Sequence, residues 1–270
     1  MPPRFTPSAN VYKRPSTGPS DTLLHIVSKE TLRNMHPIYV KAFEKARGIT
    51  LGKRIDMRSF TNYADLERDI VAVNNKIQEY SNRPQVDGTM EVIVQAEILE
   101  AFMYDMIRNY EWFGANIGGI LPSIFDDLFL GHDLILEQSH DGDGRSYTGV
   151  GIDFTLGEDS FAIKIRKIKE RLSQGLLPHI KYFESPAGNF KGELRNVPSF
   201  VVGVSRETLF KLVSLWVNGD YEKLKKDNTR INLLQMMIME CDEFSKEAND
   251  HIKETYMREK AFLQKILKNI

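Results

Sequence analysis

Apolar residues recur at three- and four-residue spacing along much of the chain, which predicts a structure rich in helices. One such stripe predicts a helix at residues 66–77, and another lies at residues 38–47. A longer helix is predicted at residues 90–113, with Gly118 and Gly119 among the glycines that end it. The segment 81–88 between these helices is rich in helix-breaking residues and is predicted to be a linker.

A block of short apolar runs and turns follows. Residues 132–137 and 150–156 are predicted strands that can pair as an antiparallel hairpin, and residues 138–144 are predicted to form the loop. Two more strands are predicted, at residues 180–183 and 200–204. The second is almost entirely apolar, which favours the centre of a sheet.

Residues 160–174 fit two patterns. Phe161, Ile163 and Ile165 alternate as in a strand, but a helical stripe that starts at Phe161 extends as far as Leu172. Because the helical pattern is longer, we predict a helix.

The C-terminal part of the chain is predicted to be helical, first at residues 207–217 and then throughout residues 221–267. An apolar stripe in the second segment has near-heptad spacing, so it can pack within its own domain or pair as a coiled coil with a second copy. Packing within the domain is the preferred interpretation, and a homodimer through this C-terminal helix is the alternative.

The predicted fold class is α/β, with a mixed central sheet, flanking helices, and helical segments at both ends. We divide the chain into a Pro-rich flexible tail (1–21), a helical N-terminal segment (22–88), an α/β core (89–219) and a C-terminal helical segment (220–270). A length of 270 residues permits one large domain with helical additions.

Composition changes this picture little. The chain is 41% hydrophobic and 27% charged, with a net charge of −1, so there is no overall attraction to nucleic acid or membrane. A lone cysteine, Cys241, excludes an intrachain disulfide and a cysteine zinc cluster, and fits a cytoplasmic location. No secretory signal or membrane-spanning run is evident.

The chemistry is suggested by acids set into the apolar runs of the hairpin. Asp133 opens the first strand and Asp153 lies inside the second; Asp126 and Asp127 precede them. Buried carboxylates are costly unless they are paired, hydrogen-bonded or metal-bound. Two such strands side by side would form a site for a hard cation such as Mg²⁺, although turn and backbone-capping roles are the simpler alternative.

This order of elements, with Asp133 and Ile152-Asp153-Phe154-Thr155, resembles the PD-(D/E)XK, or restriction-endonuclease-like, nuclease superfamily over residues 90–217. Members carry an Asp on one core strand and an Asp/Glu-x-Lys motif on the next, where the acids hold Mg²⁺ and the lysine helps to activate water. The resemblance implies Asp133 and Asp153 as catalytic residues and metal ligands.

The lysine of the motif falls on Thr155, which is a departure from the family pattern. Some members supply the lysine from a neighbouring helix, which nominates Lys164, or else Lys167. In a shifted alignment with residues 160–167 as a strand, Asp153 is the first acid and Lys164 the lysine, but Ala162 stands at the second acid position.

The leading hypothesis is therefore a nuclease that uses Mg²⁺, or Mn²⁺ in its place, to hydrolyse phosphodiester bonds. Asp133, Asp153 and Glu100 (or Glu97) would hold the metal, and Lys164 would be the catalytic cation. Lys181 is a further candidate cation. The expected partner is nucleic acid, with DNA favoured over RNA, and not a membrane. The rival hypothesis is an inactive nuclease fold that binds nucleic acid or mediates assembly.

Overall fold

The computed structural model describes residues 27, 29–82, 89–138, 148–186, 188 and 190–270. Its helices are α1 (Lys29–Asn34), α2 (Pro37–Thr50), α3 (Leu66–Asn82), α4 (Thr89–Tyr110), α5 (Glu158–Ser173), α6 (Arg206–Val217), α7 (Tyr221–Lys225), α8 (Thr229–Glu247) and α9 (Asp250–Asn269). Its strands are β1 (Ile117–Ile120), β2 (Leu134–Gln138), β3 (Thr148–Thr155), β4 (Ile180–Glu184), β5 (Lys191–Leu194) and β6 (Ser199–Gly203). The predicted tail and most of the two predicted loops, 81–88 and 138–144, lie outside the described residues.

A four-stranded mixed sheet forms the centre, in the order β1-β2-β3-β6. Strands β2 and β3 are antiparallel, with Leu134 opposite Ile152, which confirms the predicted hairpin pairing. Strand β6 is parallel to β3, so the chain must cross over between them, and α5 lies in that crossover. The prediction of a mixed sheet with flanking helices is confirmed.

One hydrophobic core joins the sheet to helices from both ends of the chain. Its fully buried members include Phe43 on α2, Phe102 on α4, Ile152 on β3, Trp216 on α6 and Phe244 on α8. Burial of each such side chain contributes roughly 1.5–3 kcal/mol. The helical segments at the two ends therefore share a core with the sheet.

The predicted end of the long helix was wrong. Gly118 and Gly119 do not end the long helix, because α4 stops at Tyr110 and both glycines lie in β1, which pairs with β2. The strand predicted at residues 180–183 is confirmed as β4, which pairs with β5 in a separate two-stranded sheet.

The apolar strand β6 lies at the edge of the sheet, so its predicted central position was wrong. Helix α8 covers its free edge. The Val201 N–H, which meets no neighbouring strand on that side among the described residues, donates to the carboxyl group of Glu240 on α8 at 2.9 Å. The strand is apolar because helices bury it, and not because strands flank it on both sides.

The predicted continuous C-terminal helix is divided into α7, α8 and α9. Asn249 separates the last two and caps α9, since its side chain accepts a hydrogen bond from the Ile252 N–H at 3.1 Å. The two helices pack on each other, and stripe residues such as Cys241 and Tyr256 are fully buried. Packing within the chain is confirmed, and the stripe gives no support to a homodimer. In the part of the chain that is described, each helix is too short or too polar to cross a lipid bilayer.

Candidate functional site

The two predicted catalytic acids lie next to each other where β2 begins and β3 ends. The Asp133 N–H donates to the Ile152 carbonyl at 2.8 Å, and Asp133 Oδ2 accepts from the Phe154 N–H at 2.6 Å. Asp133 is therefore bound to the backbone on both sides of Asp153. Both acids are half-buried, and the hairpin register brings them together as the sequence predicted.

Lys164 completes this group from the crossover helix. Its ammonium donates to Asp153 Oδ1 and to the Phe154 carbonyl, the latter at 2.5 Å. Helix α5 begins three residues after β3 ends, so its second turn lies over the carboxyl end of the strand. The observed helix excludes the shifted alignment, which requires a strand at residues 160–167. Lys167 lies on the exposed side of the same helix.

A buried arginine joins the site to the long helix α4. Arg54 contacts Glu100 Oε1 at 2.6 Å and Asp127 Oδ2 at 3.0 Å, and its side chain is only 9% exposed. Asp127 lies on a π-helical turn, Asp126–Leu130, between β1 and β2. Turns of this kind are rare and are frequent at functional sites.

The site contains more carboxyl groups than cationic side chains. Burial and the neighbouring Asp153 together raise the pKa of Asp133 to about 7, although Lys164 acts to lower it. Burial also raises the pKa of Asp127, to about 6, and raises the pKa values of Asp153, Glu97 and Glu100. Arg54 and Lys164 are the cationic side chains that lower these pKa values most, and the carboxyl groups outnumber them. Such a group gains from an additional cation.

Two other predicted candidates, Asp126 and Lys181, have partners outside this site, as does the neighbouring His132. Asp126 is fully buried and has a structural role, because it accepts hydrogen bonds from the N–H groups of Lys181 and Tyr182 at 2.6 and 3.1 Å. The Lys181 ammonium is bound to Asp69 on α3. His132 is also buried; its Nε2 lies 3.1 Å from the His179 carbonyl, and burial lowers its pKa to about 4.

The residues present fit a magnesium ion in part. Mg²⁺ is commonly held by one or two carboxylates, with water and substrate phosphate as the other ligands. Asp133 and Asp153 supply two carboxylates, and the Phe154 carbonyl lies beside them. Among the described residues, no three His, Cys, Asp or Glu side chains are arranged so that they could hold a metal ion. Glu100, the predicted third ligand, is engaged by Arg54.

Sequence reasoning missed Arg54. It lies between predicted helices, 46 residues before Glu100, and no periodic pattern marks it. Comparison of the chain with protein-family models, with curated proteins and with solved structures gives no match. The geometry of these residues is therefore the basis for any function assigned to the chain.

Proposed function

We propose that this chain is a metal-dependent nuclease of the PD-(D/E)XK type. The observation that supports this most is the position of Lys164, which reaches from α5 to Asp153 beside Asp133. It supplies a lysine where Thr155 leaves the motif without one. A helix, two adjacent acid-bearing strands and a second helix with the cation also follow the order that the resemblance implies.

The chemistry assigns a separate role to each group. Asp133 and Asp153 would hold Mg²⁺, with the Phe154 carbonyl as a further oxygen donor. When bound, Mg²⁺ polarises a phosphodiester and lowers the pKa of coordinated water. Lys164 orients Asp153 and places a positive charge where negative charge develops on the phosphoryl oxygens. Arg54 neutralises Glu100 and Asp127, which keeps the surrounding acids from repelling a phosphate.

Cleavage of labelled oligonucleotides tests the proposal. We expect single-stranded and double-stranded DNA, or RNA, to be hydrolysed with Mg²⁺ or Mn²⁺ and to remain intact with EDTA. Asp153→Asn should abolish cleavage without changing the circular dichroism spectrum. Asp159→Asn is the matched control, because Asp159 is exposed in the first turn of α5. Equal cleavage by Asp153→Asn and the unmodified chain would refute the assignment.

The second candidate function is nucleic-acid binding by an inactive nuclease fold. It is favoured by Thr155 at the lysine position and by the absence of a three-residue ligand group among the described residues. Titration with Mn²⁺ separates the two. Binding that Asp133→Asn and Asp153→Asn each remove supports the nuclease, whereas no binding at these residues supports the inactive module.

A further inference from the structure

A cleft of about 690 Å³ lies at the opposite end of the hairpin from the acid site. It is lined by Gln138, at the end of β2, by Gly149, near the start of β3, and by residues of α9. Gly149 precedes Asp153 by four residues, which is roughly 13 Å along a strand. The cleft is therefore a separate surface that contains none of the proposed catalytic residues.

Helix α9 contributes a row of basic side chains to the cleft. His251, Arg258 and Lys265 all line it, at intervals of seven residues, and Arg258 and Lys265 carry the positive charge. Seven residues are close to two helical turns, so the three side chains share a face. At 1.5 Å per residue the row spans about 21 Å. All three are exposed, and in the described part of the chain none forms a salt bridge, whereas Lys260 on the same helix is bound to Asp242.

The rest of the lining is mixed, and more of it is apolar than polar, with Leu194, Val197, Pro198 and Ala261 among the apolar members. Arg195, which is paired to Glu193 at 3.0 Å, and Asn196 add polar groups. The half-buried Phe262 lies between Arg258 and Lys265 along the helix. Glu259 is the one acid among the described lining residues. Its relative exposure is only 3%, and burial raises its pKa to about 7. The negative charge of its carboxyl group therefore repels a bound anion only weakly.

We propose that this α9 cleft binds a single strand of nucleic acid, whose phosphates contact Arg258 and Lys265 and one of whose bases stacks on Phe262. A row of about 21 Å is too long to converge on one phosphate, but it suits a chain of phosphates. An aromatic ring set between cations can stack a base only when that base is unpaired, which favours a single strand over a duplex. This inference does not require the protein to be a nuclease.

Fluorescence anisotropy with a labelled single-stranded DNA of about 20 nucleotides, in EDTA, tests the cleft. The test variant is Arg258→Gln with Lys265→Gln. The matched control is Lys253→Gln with Lys268→Gln, which removes the same charge from exposed positions of α9 that do not line the cleft. Each lost phosphate contact lowers the slope of log K against log salt by about 0.7 for a single strand.

We expect the test variant to lose about 1.4 from that slope and the control to keep it. When salt is raised from about 50 to about 200 mM, the affinity of the test variant should therefore fall by about sevenfold less than the affinity of the unmodified chain. Phe262→Leu, which keeps an apolar side chain, should weaken single-strand binding by about tenfold and leave duplex binding unchanged. If the cleft recognised phosphate alone, inorganic phosphate would displace the strand at low concentration. That result would overturn the proposal.

Two outcomes separate this inference from the proposed function. Equal affinity and equal slope in the test and control variants would overturn the α9 cleft, whatever the cleavage assay shows. Loss of binding in the test variant, in a chain that does not cleave with any metal, would support the cleft and refute the nuclease. The EDTA condition keeps the two results independent.

Discussion

Lys164 on α5 is hydrogen-bonded to Asp153 on β3, although eleven residues and a change of secondary structure separate them. The same ammonium binds the carbonyl of Phe154, so it is fixed at two points. Thr155, two residues after Asp153 on the strand, carries no charge. The crossover helix therefore supplies the charge that the strand lacks.

Replacement of Lys164 by Met should reduce the rate of cleavage by roughly 10²–10³-fold, because one donor to developing charge typically contributes that much. The same change should leave the thermal midpoint of unfolding nearly unchanged, since the lysine is partly exposed. Lys167→Met is the control, because Lys167 is exposed on the same helix. If kcat falls equally in both variants, Lys164 has no special role.

Replacement of Arg54 by Met should strongly destabilise the protein. The change leaves Glu100 and Asp127 buried without their cation, and breaking a buried ion pair from one side typically costs about 3–5 kcal/mol. Arg54 lowers the pKa of both acids. In the variant, these pKa values rise further, so the stability deficit should be small at low pH and grow as the pH rises through them.

Urea unfolding at pH 5 and at pH 8 measures this effect. Arg58→Met is the comparison, because Arg58 lies on the same connection and is exposed. A deficit that is equal at the two pH values would contradict the proposed charge balance between Arg54 and its acids.

The sequence contained the signal for Lys164 but not for Arg54. Lys164 follows Phe161 by three residues and precedes Ile168 by four, so it shares the apolar face of α5, whereas Lys167 does not. A lysine on the face that a helix buries requires a partner. Arg54 reaches its acids through contacts between distant segments, and local patterns do not encode such contacts.

The sheet was predictable where alternation and acids marked strands, and not elsewhere. Strand β1 has the sequence Ile-Gly-Gly-Ile, and glycine is depleted in strands. It is a strand because β2 offers it an edge to pair with. Strand β6 was predicted as a strand but placed wrongly in the sheet. An apolar run indicates that a strand is buried, but an edge strand covered by a helix is as buried as a central one.

Gly151→Ala should destabilise the hairpin by about 1–3 kcal/mol, the usual cost of overpacking a core. A Cβ atom at this position would lie 2.4 Å from His132 Nδ1 and 2.9 Å from Ser199 Oγ, so the buried imidazole would have to move. Asp133 follows His132 directly, so cleavage should fall as well.

Gly48→Ala is the matched control for this change. A Cβ atom there meets nothing within 4 Å, and the residue lies inside α2. Alanine should stabilise the helix by up to about 1 kcal/mol. Chemical denaturation measures both variants, and a Gly151→Ala protein as stable as the unmodified chain would show that the imidazole is not held by its packing.

Glu240 should make the protein less stable as the pH rises. Burial raises its pKa from 4.5 to about 8, and the hydrogen bond from the Val201 N–H offsets only part of that effect. The other carboxyl oxygen is buried without a partner among the described residues. A raised pKa in the folded state means that its stabilising contribution is complete below about 4.5 and is lost as the pH rises through about 8. Each pKa unit corresponds to about 1.4 kcal/mol.

Glu240→Gln keeps an acceptor for Val201 and cannot ionise. The variant should match the unmodified chain at pH 5 and exceed its free energy of unfolding at pH 9, with a flatter pH profile between. Glu254→Gln, at an exposed position of α9, should leave the profile unchanged. If the Glu240→Gln profile keeps the full slope, the carboxyl group is solvated when it ionises, and the edge of β6 is not sealed by α8.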